Sequence, residues 1–383
     1  MDWRAAFDLE PGLVYLDHAA VAPLPRAAAE AACRFAREAA TRGALRYERW
    51  LETEARLRAR AAALFGCEPA DVAVVKNTSE GLSLLAFGLD WRHGDGIVHC
   101  ADDFPSNRHV WEAAAERFGL VRRTVAVTRA PDPEAALIAA LDAGPARVLA
   151  VSSVHYATGL RLDLARLGAA CAERGVILCV DAIQSLGALR MDVRGWGIHW
   201  AAADGHKWLL GPEGCGLLYA APELRARVAP TQVGWHTAER PGNFEAPALR
   251  ARADAARYEP GSPNLLGIHA LEASLALLQE AGADTVERLV LGNAAHLIEG
   301  ATALHADGLP LRPVSPADAA RRSGIVALEV GEPPGAAALQ ARLRERGIVC
   351  AQRAGLLRLS PHFYTTREEL DRALAALAAL VRA

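Results

Sequence analysis

The sequence is short of several features that would each have assigned it to a class. Its 383 residues hold only two methionines and seven cysteines (Cys33, Cys67, Cys100, Cys171, Cys179, Cys215 and Cys350), odd in number, scattered and without a CxxC pair. That argues against a disulfide framework or a zinc site; the expectation is buried, reduced thiols in a cytoplasmic protein. No run approaches the roughly 20 consecutive apolar residues of a membrane helix, so no membrane partner is expected. The N-terminus, Met1-Asp2-Trp3-Arg4, carries an acid early and has no apolar signal-peptide stretch. An excess of one charge is missing too: 42 Lys plus Arg stand against 45 Asp plus Glu, a net charge of −3. Without a basic stripe or an acidic tail, nucleic acid is not an expected partner.

What is present is an ordinary globular composition, 52% hydrophobic and 23% charged. The length implies two domains, or one large domain with an appendage. Seven short apolar runs read as strands: Val72–Lys76, Ile97–Ala101, Val121–Val127, Val148–Ser153, Val176–Asp181, Trp200–Ala203 and Gly216–Tyr219. Helix-like segments lie between several of them, at Glu80–Leu89, Asn107–Phe118, Pro133–Ala143 and Leu162–Arg174. This alternation predicts an α/β fold whose mostly parallel seven-stranded sheet is covered by helices on both faces. From Ala221 to Pro263 the pattern turns irregular. An amphipathic helix follows over Asn264–Ala281, and the remainder reads as a smaller α+β domain. In parallel sheets ligands gather beyond the carboxyl ends of the strands, so those ends are where chemistry is sought.

Strand Val72–Lys76 runs into Asn77-Thr78-Ser79-Glu80-Gly81 and a helix. Hydroxyls and free N–H groups there suit a phosphate, although the same residues would serve as an N-cap. VILCVDA delivers Asp181 at its end, with Gln184 three residues on. A buried acid needs a partner, and either a pyridinium N–H or the cap of the next turn would do. In WAAADGHKWLLGPEGCGLLYA, Lys207 sits inside an apolar run, where lysine is rarely buried without a purpose. Desolvation lowers its pKa, as a Schiff-base amine requires. His206 beside it can donate to a phosphate oxygen.

VDAIQSLG followed by GHKWLLGPEGCG resembles the class V aminotransferases. That group includes cysteine desulfurases, selenocysteine lyases, kynureninases and isopenicillin N epimerase-like proteins. YLDHAAVAPLP, NTSEG, DDFPSN, VSSVHYATG, YEPGSPN and LLRLSPHFYTT extend the likeness in order along nearly the whole chain. The resemblance implies the fold type I architecture of transferases dependent on pyridoxal 5′-phosphate (PLP), with a large PLP-binding domain at residues 22–260. A small domain would combine residues 1–21 and 261–383. Lys207 would carry the cofactor as a Schiff base and shuttle the proton. Asp181 would bind the pyridine nitrogen, Gln184 the ring oxygen, and Thr78, Ser79 and His206 the phosphate. Phe104 would stack on the ring, and Ser262 would reach the phosphate of the other subunit in a homodimer. Arg358 would grip the carboxylate of a small amino-acid substrate, with His155, Tyr156, Arg353 and His362 at site-facing positions.

Two departures qualify the likeness. Members usually carry Ser or Thr where this chain has Asp204, an anion that must turn away from a phosphate or bond the backbone. The segment GIVCAQRAGLLRLS is short and lacks the mobile cysteine loop of the desulfurases, leaving Cys350 set in a strand. The reading that follows is a β-eliminating C–S lyase, with an aminotransferase or epimerase as alternative and a desulfurase using Cys350 as a second. A nicotinamide dehydrogenase would need a GxGxxG turn, which KNTSEG is not. A non-catalytic relative would be expected to lose Lys207 or Arg358, and both are present.

Overall fold

The computed structural model of the chain describes residues 2–245 and 248–382. All seven apolar runs are strands: β1 (Val72–Val75), β2 (Gly96–Cys100), β3 (Val121–Val125), β4 (Val148–Ser152), β5 (Ile177–Asp181), β6 (Trp200–Asp204) and β7 (Gly216–Ala220). They form one sheet in the order β1-β7-β6-β5-β4-β2-β3. Six strands run in the same direction, and β7 alone is antiparallel to its neighbours. Strands β2 and β4–β7 are buried along their whole length, which explains why they read as unbroken apolar runs rather than alternating ones. The edge strand β3 is the exception. Its Arg122 faces outward, a charge that discourages pairing with another chain, while the half-buried Arg123 bonds the Ala140 and Pro145 carbonyls.

Register sets the positions of the reactive side chains. Ser152 pairs with Asp181, and Asp181 with Ala202, so the carboxyl ends of β4, β5 and β6 lie level. The reversed β7 starts at Gly216, which pairs with Val75 on one side and Asp204 on the other. The exits of β1 and β6 therefore meet at one end of the sheet. A side chain at Gly216 would meet the Ala203 carbonyl oxygen at 2.9 Å, so the glycine permits this closeness.

The smaller core has a four-stranded antiparallel sheet of β8 (Leu311–Pro313), β9 (Val326–Val330), β10 (Ala351–Arg353) and β11 (Leu356–Leu359), in the order β10-β11-β9-β8. The N-terminal segment joins it: Val14–Tyr15 pairs with Ile348–Val349, and Asp17 bridges to Ser360. Helix Ala283–Ala306 serves both cores, with Val286 and Val290 in the larger and Ala294, Leu297 and Ile298 in the smaller. No helix of the described residues is long and apolar enough to cross a membrane.

Candidate active site

Lys207 lies three residues beyond β6 and is only 8% exposed. Its Nζ has no ion-pair partner among the described residues and stands 5.6 Å from the centre of the Phe104 ring. Burial pushes its pKa below the usual lysine range, against the pull of the Asp181 charge and with help from Arg358. An amine that holds its proton less tightly than usual in a dry site is more readily freed to act as a nucleophile and a base. The loop that carries it is tight: Gly211 N–H bonds the Gly205 carbonyl at 2.8 Å, and Leu210 takes a left-handed conformation at φ 58°. Such a conformation in a non-glycine residue stores strain.

Asp181 ends β5 and is buried. One carboxylate oxygen accepts the Ile183 N–H at 3.0 Å. Burial, reinforced by the nearby Asp103, pushes its carboxyl well above the usual range. It would gain from a strong donor. Gln184, also buried, gives one amide hydrogen to the Ala19 carbonyl at 3.1 Å and accepts the Trp208 indole N–H at 2.9 Å.

At the exit of β1, Asn77 caps helix Thr78–Gly88 by accepting the Glu80 N–H at 2.9 Å. The sequence left open whether Thr78 and Ser79 were caps. The cap is Asn77, so the first N–H groups of the helix remain free for an anion. Thr78 Oγ1 accepts the Asp204 N–H at 3.0 Å, tying this helix to β6, while Ser79 Oγ meets Ser106 Oγ at 2.8 Å. Asp204 does bond the backbone, as the sequence required: Oδ1 accepts the Gly205 N–H at 2.7 Å. Its other oxygen lies 3.1 Å from His206 Nδ1, off the line of a hydrogen bond, and that buried nitrogen has no hydrogen-bond partner. Thr78 is thus tied through Asp204 to the turn that carries His206 and Lys207, with Ser79 next to it on the helix.

Phe104 is 39% exposed, with its ring edge-on to Tyr156 at 5.4 Å between centroids. The residue before it, Asp103, was missed in the sequence. Its buried carboxylate accepts the Ser152 hydroxyl at 2.7 Å, the Ser152 N–H at 3.1 Å and the Asn107 amide at 2.9 Å, pinning the Phe104 turn to β4. The doubled acid in DDFPSN was the available signal.

Arg358 enters from the small sheet. Its Nη1 donates to the Tyr156 carbonyl at 2.9 Å and its Nη2 to Asp17 at 3.2 Å, while the buried Nε has no partner. Asp17 was the second omission. Arg353 shares a face with Arg358, because β10 and β11 pair Ala351 with Arg358 and Arg353 with Leu356. Among the described residues its guanidinium bonds only the Gln352 carbonyl, at 2.8 Å. Two of the expected residues, His155 and His362, are not available to a substrate. His155 uses both ring nitrogens within the protein, on the Asp102 carbonyl at 2.8 Å and on Thr158. His362 is buried behind the site, donating to the Trp208 carbonyl. Ser262 is exposed and lines a separate cavity of about 240 Å³ with Lys76, Glu80 and Gln232. Cys350 is 5% exposed, and burial pushes its thiol up to about 12.

A wider cavity, about 390 Å³, lies beside the site between Ser153, Ser185 and Trp196. Its arginines are already paired, Arg161 with Glu287, Arg190 with Asp284 and Arg321 with Glu134.

The family model described as aminotransferase class-V matches residues 14–373. Isopenicillin N epimerase of Streptomyces clavuligerus is 32% identical, over 99% of this chain and 98% of that protein. A solved structure of C-DES with glycine covalently linked to its PLP cofactor superposes with a TM-score of 0.90 at 27% identity, covering 98% of both chains. A second, of the cystine C–S lyase C-DES with its product cysteine persulfide, gives 0.88 at 27% identity, covering 96% of this chain and 98% of that one.

Proposed function

The chain belongs to the aminotransferase class-V family, and from that premise we propose that it is a PLP-dependent lyase breaking the C–S bond of a cysteine-like amino acid by β-elimination. The residues fit the cofactor. Asp181 is a buried carboxylate in need of a donor, the helix at Thr78 offers free N–H groups, and His206 Nδ1 is buried without a partner. Lys207 would join the aldehyde, Asp181 hold the ring nitrogen, Gln184 the ring oxygen, and Thr78, Ser79 and His206 the phosphate, with Phe104 against the ring. Bound there, PLP supplies the electron sink that makes the substrate Cα–H acidic.

The chain's own residues perform the rest. Arg358 takes the substrate carboxylate with its fork. Lys207, held below its ordinary pKa by burial, would remove the Cα proton. The electron pair left at Cα forms the Cα–Cβ double bond as the C–S bond breaks, and the sulfur leaves as a thiol or persulfide. Pyruvate and ammonia follow on hydrolysis.

One observation favours elimination over attack by an enzyme thiol. Cys350, the cysteine nearest in sequence to Arg358, is buried with its thiol raised to about 12, so it offers no thiolate to substrate sulfur. The likeness to C-DES, described as a cystine C–S lyase, points the same way. An epimerase is the second reading, supported by the match across 99% of the chain. It would need an acid on the face opposite Lys207, and His155 has no nitrogen to spare.

A homodimer belongs to the same proposal, with Ser262 completing the partner's phosphate site. Val233, Trp235, Phe244 and Leu249 are exposed on the irregular segment before Ser262, an apolar surface suited to a second copy. Free thiols at all seven cysteines suit a cytoplasmic setting.

The purified protein is expected to bind PLP with a visible absorption band and to release pyruvate, ammonia and sulfur product from cystine or S-substituted cysteines. Lys207→Ala removes both band and turnover. No band after adding PLP would overturn the cofactor assignment; a band without keto-acid release would overturn the reaction.

A further inference from the structure

The residue after the lysine, Trp208, lies outside every role assigned so far, although it is among the largest fully buried side chains of the protein. Its indole N–H donates to Gln184 Oε1 at 2.9 Å. At the other end of the same amide, Nε2 donates to the Ala19 carbonyl at 3.1 Å. Both partners are one-directional: an indole N–H can only donate and a backbone carbonyl can only accept. The orientation of the amide is therefore dictated by chemistry, in a side chain whose two ends are otherwise easily exchanged. One amide hydrogen remains, and no acceptor in the described chain takes it.

Trp208 is itself held on several sides. A side chain at Gly324 would meet the indole ring at 2.4 Å, and one at Gly187 would meet the Trp208 carbonyl oxygen at 2.4 Å. The His362 Nε2–H donates to that carbonyl at 3.1 Å, and the two rings lie 5.3 Å apart. Two glycines and a neutral histidine thus form a fitted seat that leaves the indole no space to turn.

We infer that Trp208 is a positioning residue that locks the Gln184 amide with its nitrogen, not its oxygen, free to donate to the ring oxygen of the bound cofactor. The inference rests on the proposed PLP site and adds to it the residue that decides which end of Gln184 the cofactor meets. Without the indole donor, Oε1 loses its partner. The amide is then ordered at one end only, by the Ala19 carbonyl, and can turn about that bond and carry its second N–H away from the ring oxygen. The cost is felt by the ring oxygen alone, which separates this role from general support of the fold.

The test is a comparison of PLP with 3-deoxypyridoxal 5′-phosphate, which lacks that oxygen, using equilibrium affinities measured by fluorescence on the full-length protein. Wild type is expected to prefer PLP. Trp208→Phe should reduce that preference by ~10-fold, the worth of one hydrogen bond to a charged acceptor, while affinity for the deoxy analogue changes little. Gln184→Ala should reduce it equally, and adding Trp208→Phe to Gln184→Ala should do nothing more, because the indole acts through the amide. Site-specific replacement of Trp208 by 3-benzothienylalanine keeps the shape, removes only the N–H and guards against a phenylalanine variant that fails to fold. An unchanged preference in that variant, or an additive double mutant, overturns the inference. Failure of the wild type to bind either compound would instead overturn the cofactor assignment.

Discussion

The guanidinium of Arg358 meets the carboxylate of Asp17 at 3.2 Å, joining β11 to a segment that precedes it by almost the whole chain. Arg358 is 1% exposed, so this contact, together with the Tyr156 carbonyl, keeps a buried cation in place before substrate arrives. Removing either partner has a different signature. Asp17→Ala leaves the guanidinium uncompensated and is expected to cost about 3–5 kcal/mol of stability, read as a lower chemical-denaturation midpoint. Arg358→Lys keeps the charge but not the fork, and kcat/KM should fall by ~10–100-fold, mostly through KM. Steady-state kinetics at fixed PLP check this; an unchanged KM would mean that the carboxylate is gripped elsewhere.

Phe104 contributes a face rather than a charge. Its ring is partly exposed, stands 5.6 Å from Lys207 Nζ and is steadied by Tyr156 and by Asp103 beneath its turn. Truncation to alanine should weaken PLP binding by ~3–10-fold, the range of an aromatic stacking contact. Phe104→Tyr should bind as the wild type does. Asp103→Asn, which leaves the ring but loosens its turn, should fall between the two in a PLP titration.

How much of this was legible in the sequence follows from distance along the chain. The strands β1–β7, the exposed edge strand β3 apart, could be read because each is short, apolar and buried by its own neighbours, and their exits located Lys207, Asp181 and the Thr78 helix. The reversal of β7 could not be read, since an apolar run carries no sign of direction. Asp103 and Asp17 were passed over for a related reason. Each is identified by its partner, Ser152 lying 49 residues on and Arg358 lying 341 residues on. His155 shows the converse. Its place in VSSVHYATG suggested substrate, but its nitrogens are spent on Asp102 and Thr158, contacts that no local pattern reveals. The departure at Asp204 was readable as chemistry, because an anion near a phosphate site must find donors; the Gly205 N–H is one.

Cys350 offers a direct discrimination between mechanisms. If sulfur leaves by elimination, Cys350→Ala should retain the wild-type rate of keto-acid and sulfur release within about two-fold, since a buried, protonated thiol contributes only packing. Stability should fall by about 1 kcal/mol, the cost of removing a buried packing group from the smaller core. Loss of sulfur release with PLP still bound would restore the thiol-attack route. Treatment of the wild type with a thiol alkylating reagent should likewise leave turnover intact at Cys350, which mass spectrometry of the modified protein can verify.

The cluster behind Trp208 sets the acid limit of the fold. His18 is fully buried, with Nδ1–H donated to the Ser360 carbonyl at 2.8 Å and Nε2 accepting the Tyr364 hydroxyl at 2.6 Å. Both nitrogens are committed to a neutral ring, and burial pushes its pKa down from 6.5 to about 4. The sign follows from proton counting. Below pH 6.5 the unfolded chain binds a proton at this histidine that the folded chain refuses, so folding is progressively penalised as pH falls towards 4. The full difference corresponds to ~3 kcal/mol. His362, buried in the same cluster and likewise held neutral, adds to the loss. Asp181, whose carboxyl burial pushes up to about 7, pulls the other way as the pH falls from 7 towards 4, so the expected signature is the difference between the wild-type curve and that of a His18 variant. His18→Gln should start lower, because it loses one of two committed hydrogen bonds, but its decline with acid should be shallower. A variant whose curve runs parallel to that of the wild type would show that the acid sensitivity resides in other groups.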